Sequence, residues 1–480
     1  MNNYSVTLTE RIHKQLCNHL IRSDGQEDLS FATYIPSSGE ERFTGIISKI
    51  ILPSKDERSV HGNAEFYSEY LIRSTRIAAE RKEGLVFLHS HPFPGWQGMS
   101  YPDEIAEKRI SATAFAVTGR PLLGMTLGND ESWSARFWFK DEKIKRTYHR
   151  KCCISVRVIG EKLAVTFNDR LLKPKSEIHN QIRTISSWGQ KTQDDISRLK
   201  IGIVGLGSVG SIVSEILSRT GVADFILIDF DSVEAKNLDR TQGVYQSDIG
   251  KAKVKVIANS IKRSSPIKNI SVGQIEYSVC EEEGYRAALD CDILFSCVDR
   301  PWARQVLNFI SYAHLIPVID GGIKVRTNFS NTKILGATWR AHTVGYERTC
   351  LECLGQFKSE HAKLESEGFL DDPTYIKGMT HKNILHSGEN VYAFSAHVAS
   401  MEVLQFLSLF VSPGGVSKIG QQIYQMSLGI LEKDDRICYP NCFYQTIIGK
   451  GEHTGVKLYG NHEIAEIKRS ERKIRSNKVS

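Results

Sequence analysis

Two histidines, a serine and an aspartate lie close together in the segment LHSHPFPGWQGMSYPDE. On a β-strand, side chains two residues apart point to the same face, so His89 and His91 can bind one ion. Asp103 precedes a helical run and can turn towards the same point. Two imidazoles and one carboxylate are a frequent catalytic zinc set that leaves a fourth position for water. The hydroxyl of Ser100 is suited to stabilising an oxyanion. The segment therefore predicts metal-assisted hydrolysis.

The order of these residues resembles that of the JAB/JAMM metallopeptidases, whose pattern is a distant glutamate, then His-x-His-Pro, then Ser and Asp three residues apart. The resemblance covers most of residues 20–150. It implies that His89, His91 and Asp103 bind the catalytic zinc ion and that Ser100 assists the reaction. It also implies cleavage after the C-terminal glycine of a ubiquitin-like protein.

The glutamate of the JAB/JAMM pattern stands at the start of the first core strand. Glu27, just before DLSFATYIP, fits that place, and Glu40 and Glu41 are alternatives. A carboxylate of this kind is the expected general base. The gap between His91 and Ser100 is one residue longer than the family pattern, and we expect the Pro-Gly turn within it to absorb the difference.

A second group of residues is suited to binding phosphate. Gly205, Gly207 and Gly210 follow the strand KIGIV and open the helix SIVSEIL, where glycines let the backbone approach phosphate and the helix N-terminus favours anions. Asp229, at the end of the next strand, stands where a ribose would be bound. This spacing alone does not separate an NAD site from an ATP site, so a dehydrogenase remains an alternative at this point.

The run LIDFDSVEAKNLDRTQGVYQSDIGKAKVKV resembles the ThiF/ubiquitin-activating family, as does DILFSCVDRPWAR further on. The match spans about residues 180–445 and includes the Asp229-x-Asp231 pair. It implies a site for ATP with Mg²⁺, in which Asp229 holds the ribose. It also implies that Asn237, Arg240 and Lys253 contact the phosphates, that Arg240 and Lys253 assist catalysis, and that Asp299 helps to bind Mg²⁺. Family enzymes commonly form dimers, so we expect a homodimer. Arg183 is a candidate for the arginine that reaches the partner's nucleotide site.

Four cysteines form two close pairs, Cys350 with Cys353 and Cys438 with Cys442. Four thiolates make a closed, structural zinc site, whereas a redox Cys-x-x-Cys motif or free buried thiols are the alternatives. No cysteine lies between the two pairs, where related enzymes that form a thioester carry their nucleophile. The chain is therefore expected either to stop at the adenylate or to use another acceptor, such as a cysteine elsewhere or Thr380.

The pattern of apolar residues indicates an α/β protein. We expect a mixed α+β JAB-type domain over residues 1–160, a linker with a short helix over 161–198, and a doubly wound, Rossmann-like ThiF-type domain over 199–450. Within the first domain, residues 65–83 predict an amphipathic helix. Residues 354–390 predict a long mobile loop, and 451–480 a solvated basic tail.

Composition narrows the function class. The chain has 480 residues with 41% hydrophobic and 24% charged residues, which is typical of a soluble globular protein. The sequence shows no secretory signal and no apolar stretch that predicts a membrane span, so we expect a cytoplasmic protein. The net charge is +7, but no aromatic residues interleave the basic C-terminal run, and a nucleic-acid partner is not expected.

Taken together, the sequence predicts one chain that cleaves a ubiquitin-like protein with zinc and activates its C-terminus with ATP. A ubiquitin-like protein and a conjugating enzyme are the expected partners. The resemblance is to bacterial conjugation modules, with antiviral defence as one context. Sulfur-carrier activation for cofactor or metabolite synthesis is the alternative function, and a non-catalytic scaffold is a third.

Overall fold

The computed structural model describes residues 3–61, 63–144, 147–328, 333–369 and 390–477. Backbone contacts divide these into two compact units. The first comprises the described residues within 1–173, 313–315 and 447–455, and the second those within 174–312, 316–446 and 456–480. Thr380 and most of the predicted loop 354–390 lie outside the described residues.

The first unit is built on a mixed sheet which, within the described residues, has nine strands in the order β11-β10-β1-β3-β2-β6-β7-β8-β9. Its elements are β1 (Asn3–Thr9), α1 (Glu10–Leu20), β2 (Leu29–Ser38), β3 (Arg42–Ile51), β4 (Arg58–His61), β5 (Asn63–Phe66), α2 (Ser68–Glu80), β6 (Gly84–Ser90), α3 (Tyr101–Thr118), β7 (Leu122–Leu127), β8 (Trp133–Lys140), β9 (Tyr148–Cys152), β10 (Ser155–Ile159) and β11 (Leu163–Phe167).

Strand β6 shows why the sheet carries helices on both faces. Val86 and Leu88 pack into the cluster that holds α1, whereas Leu85 and Phe87 pack into the cluster that holds α2 and α3. This alternation follows from the two-residue period of a strand. His89 continues the Phe87 side, and the two rings stack with centroids 5.5 Å apart. The strand therefore directs His89 towards the face covered by α2 and α3.

The second unit contains a sheet that, among the described residues, has the order β14-β13-β12-β15-β16-β17-β18-β19. Its elements are α4 (Ile182–Trp188), α5 (Gln190–Arg198), β12 (Lys200–Val204), α6 (Ser208–Thr220), β13 (Asp224–Ile228), α7 (Lys253–Ser264), β14 (Ser271–Ile275), α8 (Glu282–Leu289), β15 (Ile293–Ser296), α9 (Pro301–Ala313), β16 (Val318–Thr327), β17 (Ile334–Val344), α10 (Ser359–Ser366), α11 (Tyr392–Phe410), β18 (Gln421–Gln425), β19 (Ile430–Asp434), α12 (Phe443–Thr446) and α13 (Glu463–Asn477). Strands β14, β13, β12, β15 and β16 pair in parallel, which is the predicted Rossmann-like arrangement, and β17–β19 extend it antiparallel.

Three predicted boundaries need correction. Residues 163–167 form β11 and complete the first sheet by pairing with β10, so the predicted linker 161–198 contains an edge strand of the first unit followed by α4 and α5. Half of the predicted basic tail 451–480 forms the helix α13, whose side chains find acidic partners in the second unit. The predicted loop after residue 354 contains the helix α10.

One helix in the described part of the chain, α11, is long and apolar enough to cross a membrane by length and composition. The sequence predicts no membrane span, and Ser, Glu and Gln interrupt the apolar residues of this helix. Of its most apolar window, 67% is buried within the structure. Phe394, Val398 and Met401 pack against Trp339 of β17, so the helix forms part of the core of its own unit.

Candidate metal centre and nucleotide site

The first candidate site lies where β6 ends and α3 begins. His89 is the penultimate residue of β6 and His91 follows the strand directly. Asp103 occupies the third position of α3, whose N-cap is Ser100. The pairing of Leu29 with His89 places the start of β2 beside them, and Glu27 lies two residues before that strand.

The side chains of His89, His91 and Asp103 converge on one point. The two Nε2 atoms are 3.2 Å apart, and the Asp103 oxygens lie 3.8 Å from His89 Nε2 and 3.3 Å from His91 Nε2. For ligand atoms about 2.1 Å from a tetrahedral zinc ion, the separations would be about 3.4 Å. The donor types and their spacing therefore fit a zinc ion.

Electrostatics keep Asp103 ionised. Burial opposes the charge, but hydrogen bonding to His89 and His91 outweighs it and holds the pKa of this carboxyl well below its usual range. The Ser100 hydroxyl donates to Asp103 Oδ2 at 2.7 Å and accepts from the Asp103 backbone N–H at 3.2 Å. Ser100 therefore caps α3 and orients the carboxylate of Asp103.

Among the three candidate glutamates, Glu27 lies nearest to the histidines. Its Oε1 is 4.0 Å from His91 Nε2, and its side chain is partly exposed. Glu40 and Glu41 stand in the turn between β2 and β3, at the opposite end of β2. The topology therefore favours Glu27 as the general base.

A buried polar chain beside the metal-facing Nε2 atom of His89 is absent from the sequence prediction. Thr126 Oγ1 lies 3.4 Å from His89 Nε2 and accepts a hydrogen bond from Arg136 at 2.6 Å. Arg136 in turn pairs with the fully buried Glu107, which also accepts from Trp138 Nε1 at 2.6 Å. A charged residue in an otherwise apolar strand, as in SARFWFK, is the sequence signal that could have indicated it.

The second candidate site lies at the carboxyl edge of β12 and β13. Gly205 has φ +86°, and a Cβ on it would lie 2.6 Å from the Cys297 carbonyl oxygen. A Cβ on Gly210 would lie 1.9 Å from the Gly205 carbonyl oxygen, so only glycine allows this turn. A Cβ on Gly207 would meet nothing within 4 Å, which leaves room for a ligand beside the start of α6.

Asp229 anchors the glycine turn. Its carboxylate accepts backbone N–H bonds from Leu206 and Asp231, both at 2.7 Å. Asp231 itself bonds to Lys253 Nζ at 2.8 Å. Burial raises the pKa of Asp229, whereas for Asp231 the effect of burial is outweighed by Lys253, and its pKa is lowered. The structure therefore brings Asp229, Asp231 and Lys253 together at the glycine turn.

The other predicted nucleotide residues are engaged locally or exposed. Asn237 Oδ1 accepts from the Glu234 backbone N–H at 2.8 Å. Arg240 Nη1 donates to the Lys236 carbonyl at 2.8 Å, within its own turn. Asp299 is exposed in the loop after β15, on the same sheet edge as the glycine turn because β15 pairs in parallel with β12. Sequence reasoning missed Lys468, whose Nζ lies 2.6 Å from Asp231 Oδ1.

The four predicted cysteines meet as expected from their spacing. The sulfur atoms of Cys350, Cys353, Cys438 and Cys442 all lie within 4.8 Å of one another. The Sγ atoms of Cys350 and Cys442 are 3.6 Å apart, close to the roughly 3.8 Å between thiolates on a tetrahedral zinc ion. The backbone N–H of Cys350 also donates to Cys438 Sγ at 3.2 Å. This donor set fits a structural zinc ion.

Comparison with known proteins identifies the family of the second unit. A model described as the ThiF family matches residues 178–428, which is more than half of the chain, and the chain belongs to that family. The matched range excludes the metal cluster of the first unit.

Individual relatives match over shorter stretches. Ubiquitin-like modifier-activating enzyme 5 of Culex quinquefasciatus is 26% identical over 168 residues, which cover 31% of this chain and 41% of that protein. Molybdopterin-synthase adenylyltransferase of Escherichia coli (strain K12) is 27% identical over 129 residues, covering 27% and 51%. The chain thus spans about half the length of these relatives, or less. The crystal structure of E. coli MccB with ATP has a TM-score of 0.41 and 19% identity, over 57% of this chain and 75% of that one.

Proposed function

We propose that the second unit uses ATP with Mg²⁺ to adenylate the C-terminal carboxylate of a ubiquitin-like protein. The observation that carries this proposal is the convergence of Asp229, Asp231 and Lys253 on the glycine turn at the sheet edge. In the proposed reaction, a carboxylate oxygen attacks the α-phosphorus, the bond from that phosphorus to the β-phosphate breaks, and pyrophosphate leaves.

The residues divide this task by their chemistry. The backbone N–H groups at the start of α6 contact phosphate, and Asp229 holds the ribose. Lys253 and Arg240 supply the positive charge that the developing phosphate charge requires, and Asp299 would hold the magnesium ion. Arg240 must leave its bond to the Lys236 carbonyl to do so. In a homodimer the exposed Arg183 of α4 would serve the partner's site.

For the first unit we propose a zinc-dependent peptidase that trims a ubiquitin-like protein or removes it from targets. His89, His91 and Asp103 would hold the zinc ion, which lowers the pKa of bound water to about 7. Glu27 stands close enough to the cluster to take a proton, and its partial exposure leaves it accessible to substrate. Ser100 keeps Asp103 in position. Cys350, Cys353, Cys438 and Cys442 would hold the separate structural zinc ion.

Sulfur-carrier activation is a second candidate, because a molybdopterin-synthase adenylyltransferase is among the relatives and no cysteine lies between Cys353 and Cys438. Both candidates begin with an acyl-adenylate, and they differ in what accepts the acyl group. A conjugating enzyme is the acceptor partner in the first, and a sulfur donor in the second.

One experiment tests these proposals together. The purified chain is incubated with ATP, Mg²⁺ and a ubiquitin-like protein encoded beside it, and intact masses are measured. An adenylate mass on the ubiquitin-like protein supports activation, and a mass loss at its C-terminus supports the peptidase. If the chain does not bind ATP and the ubiquitin-like protein neither gains an adenylate nor loses mass at its C-terminus, both proposals are overturned.

A further inference from the structure

The C-terminal helix α13 is docked on the sheet edge that carries the nucleotide site. Arg472 Nη1 donates to the Phe230 carbonyl at 3.2 Å and to Ser232 Oγ at 3.0 Å, and both acceptors follow β13. Arg469 bonds both oxygens of Glu281, at 2.7 and 2.5 Å. These bonds tie the helix to the loops beyond β13 and β14.

Aromatic contacts fix the residues just before the helix. The ring of His462 stacks on Trp302 with a centroid distance of 5.3 Å and an interplanar angle of 2°, and lies 5.1 Å from Phe230. Ala465 is fully buried. The segment is therefore part of the second unit, and these contacts hold its basic side chains in fixed positions.

The docked helix places one lysine directly at the candidate site. Lys468 Nζ lies 2.6 Å from Asp231 Oδ1, while Lys253 Nζ lies 2.8 Å from Asp231 Oδ2. Each oxygen of this carboxylate thus has its own lysine. The Lys253 side chain is 11% exposed and that of Lys468 is 39% exposed, so the second cation approaches from the solvent side.

We propose that Lys468 is a positioning residue of the nucleotide site, which holds the charge of Asp231 balanced when Lys253 turns to the polyphosphate. This inference rests on the proposed ATP site. Asp229 and Asp231 are both acidic and lie two residues apart, and ATP brings several further negative charges. If Lys253 left Asp231 without a replacement, an unpaired carboxylate would face the phosphates and oppose binding. Lys468 keeps one pairing intact, so that Lys253 is available to the ligand.

The test is a titration of the full chain and its Lys468→Met variant with ATP, ADP and AMP in the presence of Mg²⁺. We expect the variant to bind ATP about fivefold more weakly or worse, with the loss shrinking towards AMP as phosphates are removed. Lys473→Met removes the same charge from an exposed position of the same helix and should leave the ATP-to-AMP affinity ratio unchanged. Equal losses for all three nucleotides, or no loss, would overturn the inference.

A double-mutant cycle with Asp231→Asn separates an action through Asp231 from direct contact with the nucleotide. We expect Lys468→Met to have almost no effect in the Asp231→Asn background, and Lys468→Arg to retain most of the affinity in the wild-type background. A full loss in the Asp231→Asn background would contradict the positioning role. If the unaltered chain binds no ATP, it is the proposed adenylation that fails, and that result is distinct from every outcome above.

Discussion

The two candidate sites differ in how their side chains are held. His89, His91 and Asp103 already lie at ligand spacing, because a strand end and a capped helix start fix them. At the nucleotide site, Arg240 bonds within its own turn and Lys253 is paired with Asp231. Secondary structure thus holds the candidate metal ligands at ligand spacing, whereas the candidate nucleotide residues are bonded to one another. The proposed binding of ATP requires Arg240 and Lys253 to exchange these partners. The predictions below test this difference.

The largest expected effect is at Glu27, the proposed general base of the first unit. Glu27→Gln should lower cleavage of a C-terminal fusion of the ubiquitin-like protein by about 10²–10⁴-fold, because the proton acceptor is lost. Zinc content, measured by mass spectrometry, should stay unchanged since the ligands remain. Glu40→Gln, at the opposite end of β2, is the matched control. If Glu40→Gln abolishes cleavage and Glu27→Gln does not, the topological argument for Glu27 is wrong.

A somewhat smaller loss is expected at the nucleotide site. Arg240→Ala should lower ATP–pyrophosphate exchange, driven by the ubiquitin-like protein, by about 10²–10³-fold, since one charge-stabilising donor is removed. Asp299→Asn should act similarly through magnesium. Cleavage by the first unit should continue in both variants. Lys236→Ala, a change in the same turn as Arg240, should leave ATP–pyrophosphate exchange unchanged. Exchange that survives Arg240→Ala would show that this arginine never leaves its local bonds.

The sequence predicted most of the second unit because glycines, acids and basic residues recur there at fixed distances from strand ends. It predicted the cysteine cluster and the histidine cluster for the same reason, since chelate spacing is local. What it missed is of two kinds. Lys468 meets Asp231 across 237 positions of the chain, which no local pattern shows. Residues 163–167 pair with the neighbouring β10 in a hairpin, within a stretch whose polar composition resembles a linker. The helix predicted over 65–83 begins only at Ser68, because residues 63–66 pair with β4.

A smaller effect, on stability, is expected from the polar chain beside His89. Thr126→Val removes the hydroxyl that accepts from Arg136 and leaves a buried, charged hydrogen-bond donor unpaired. The free energy of unfolding, measured by denaturant titration, should fall by about 1.5–3 kcal/mol. Thr44→Val is the matched control, because Thr44 is also buried in this sheet but bonds to the neutral Ser5 hydroxyl at 2.8 Å, so its loss should be about 1 kcal/mol. Equal losses for the two variants would contradict a special role of the charged pair.

The smallest effect separates helix capping from orientation of the metal ligand. Ser100→Ala should lower the free energy of unfolding by about 1 kcal/mol, the usual loss for an N-cap. It should also weaken zinc binding, because the Ser100 hydroxyl no longer holds Asp103. Thr9→Ala is the matched variant, since Thr9 caps α1 by accepting from the Ile12 N–H and bonds no member of the cluster. If Ser100 positions the metal ligand, Thr9→Ala should lower the free energy of unfolding without changing the zinc affinity. If both variants weaken zinc binding to the same extent, the position of Asp103 does not depend on Ser100.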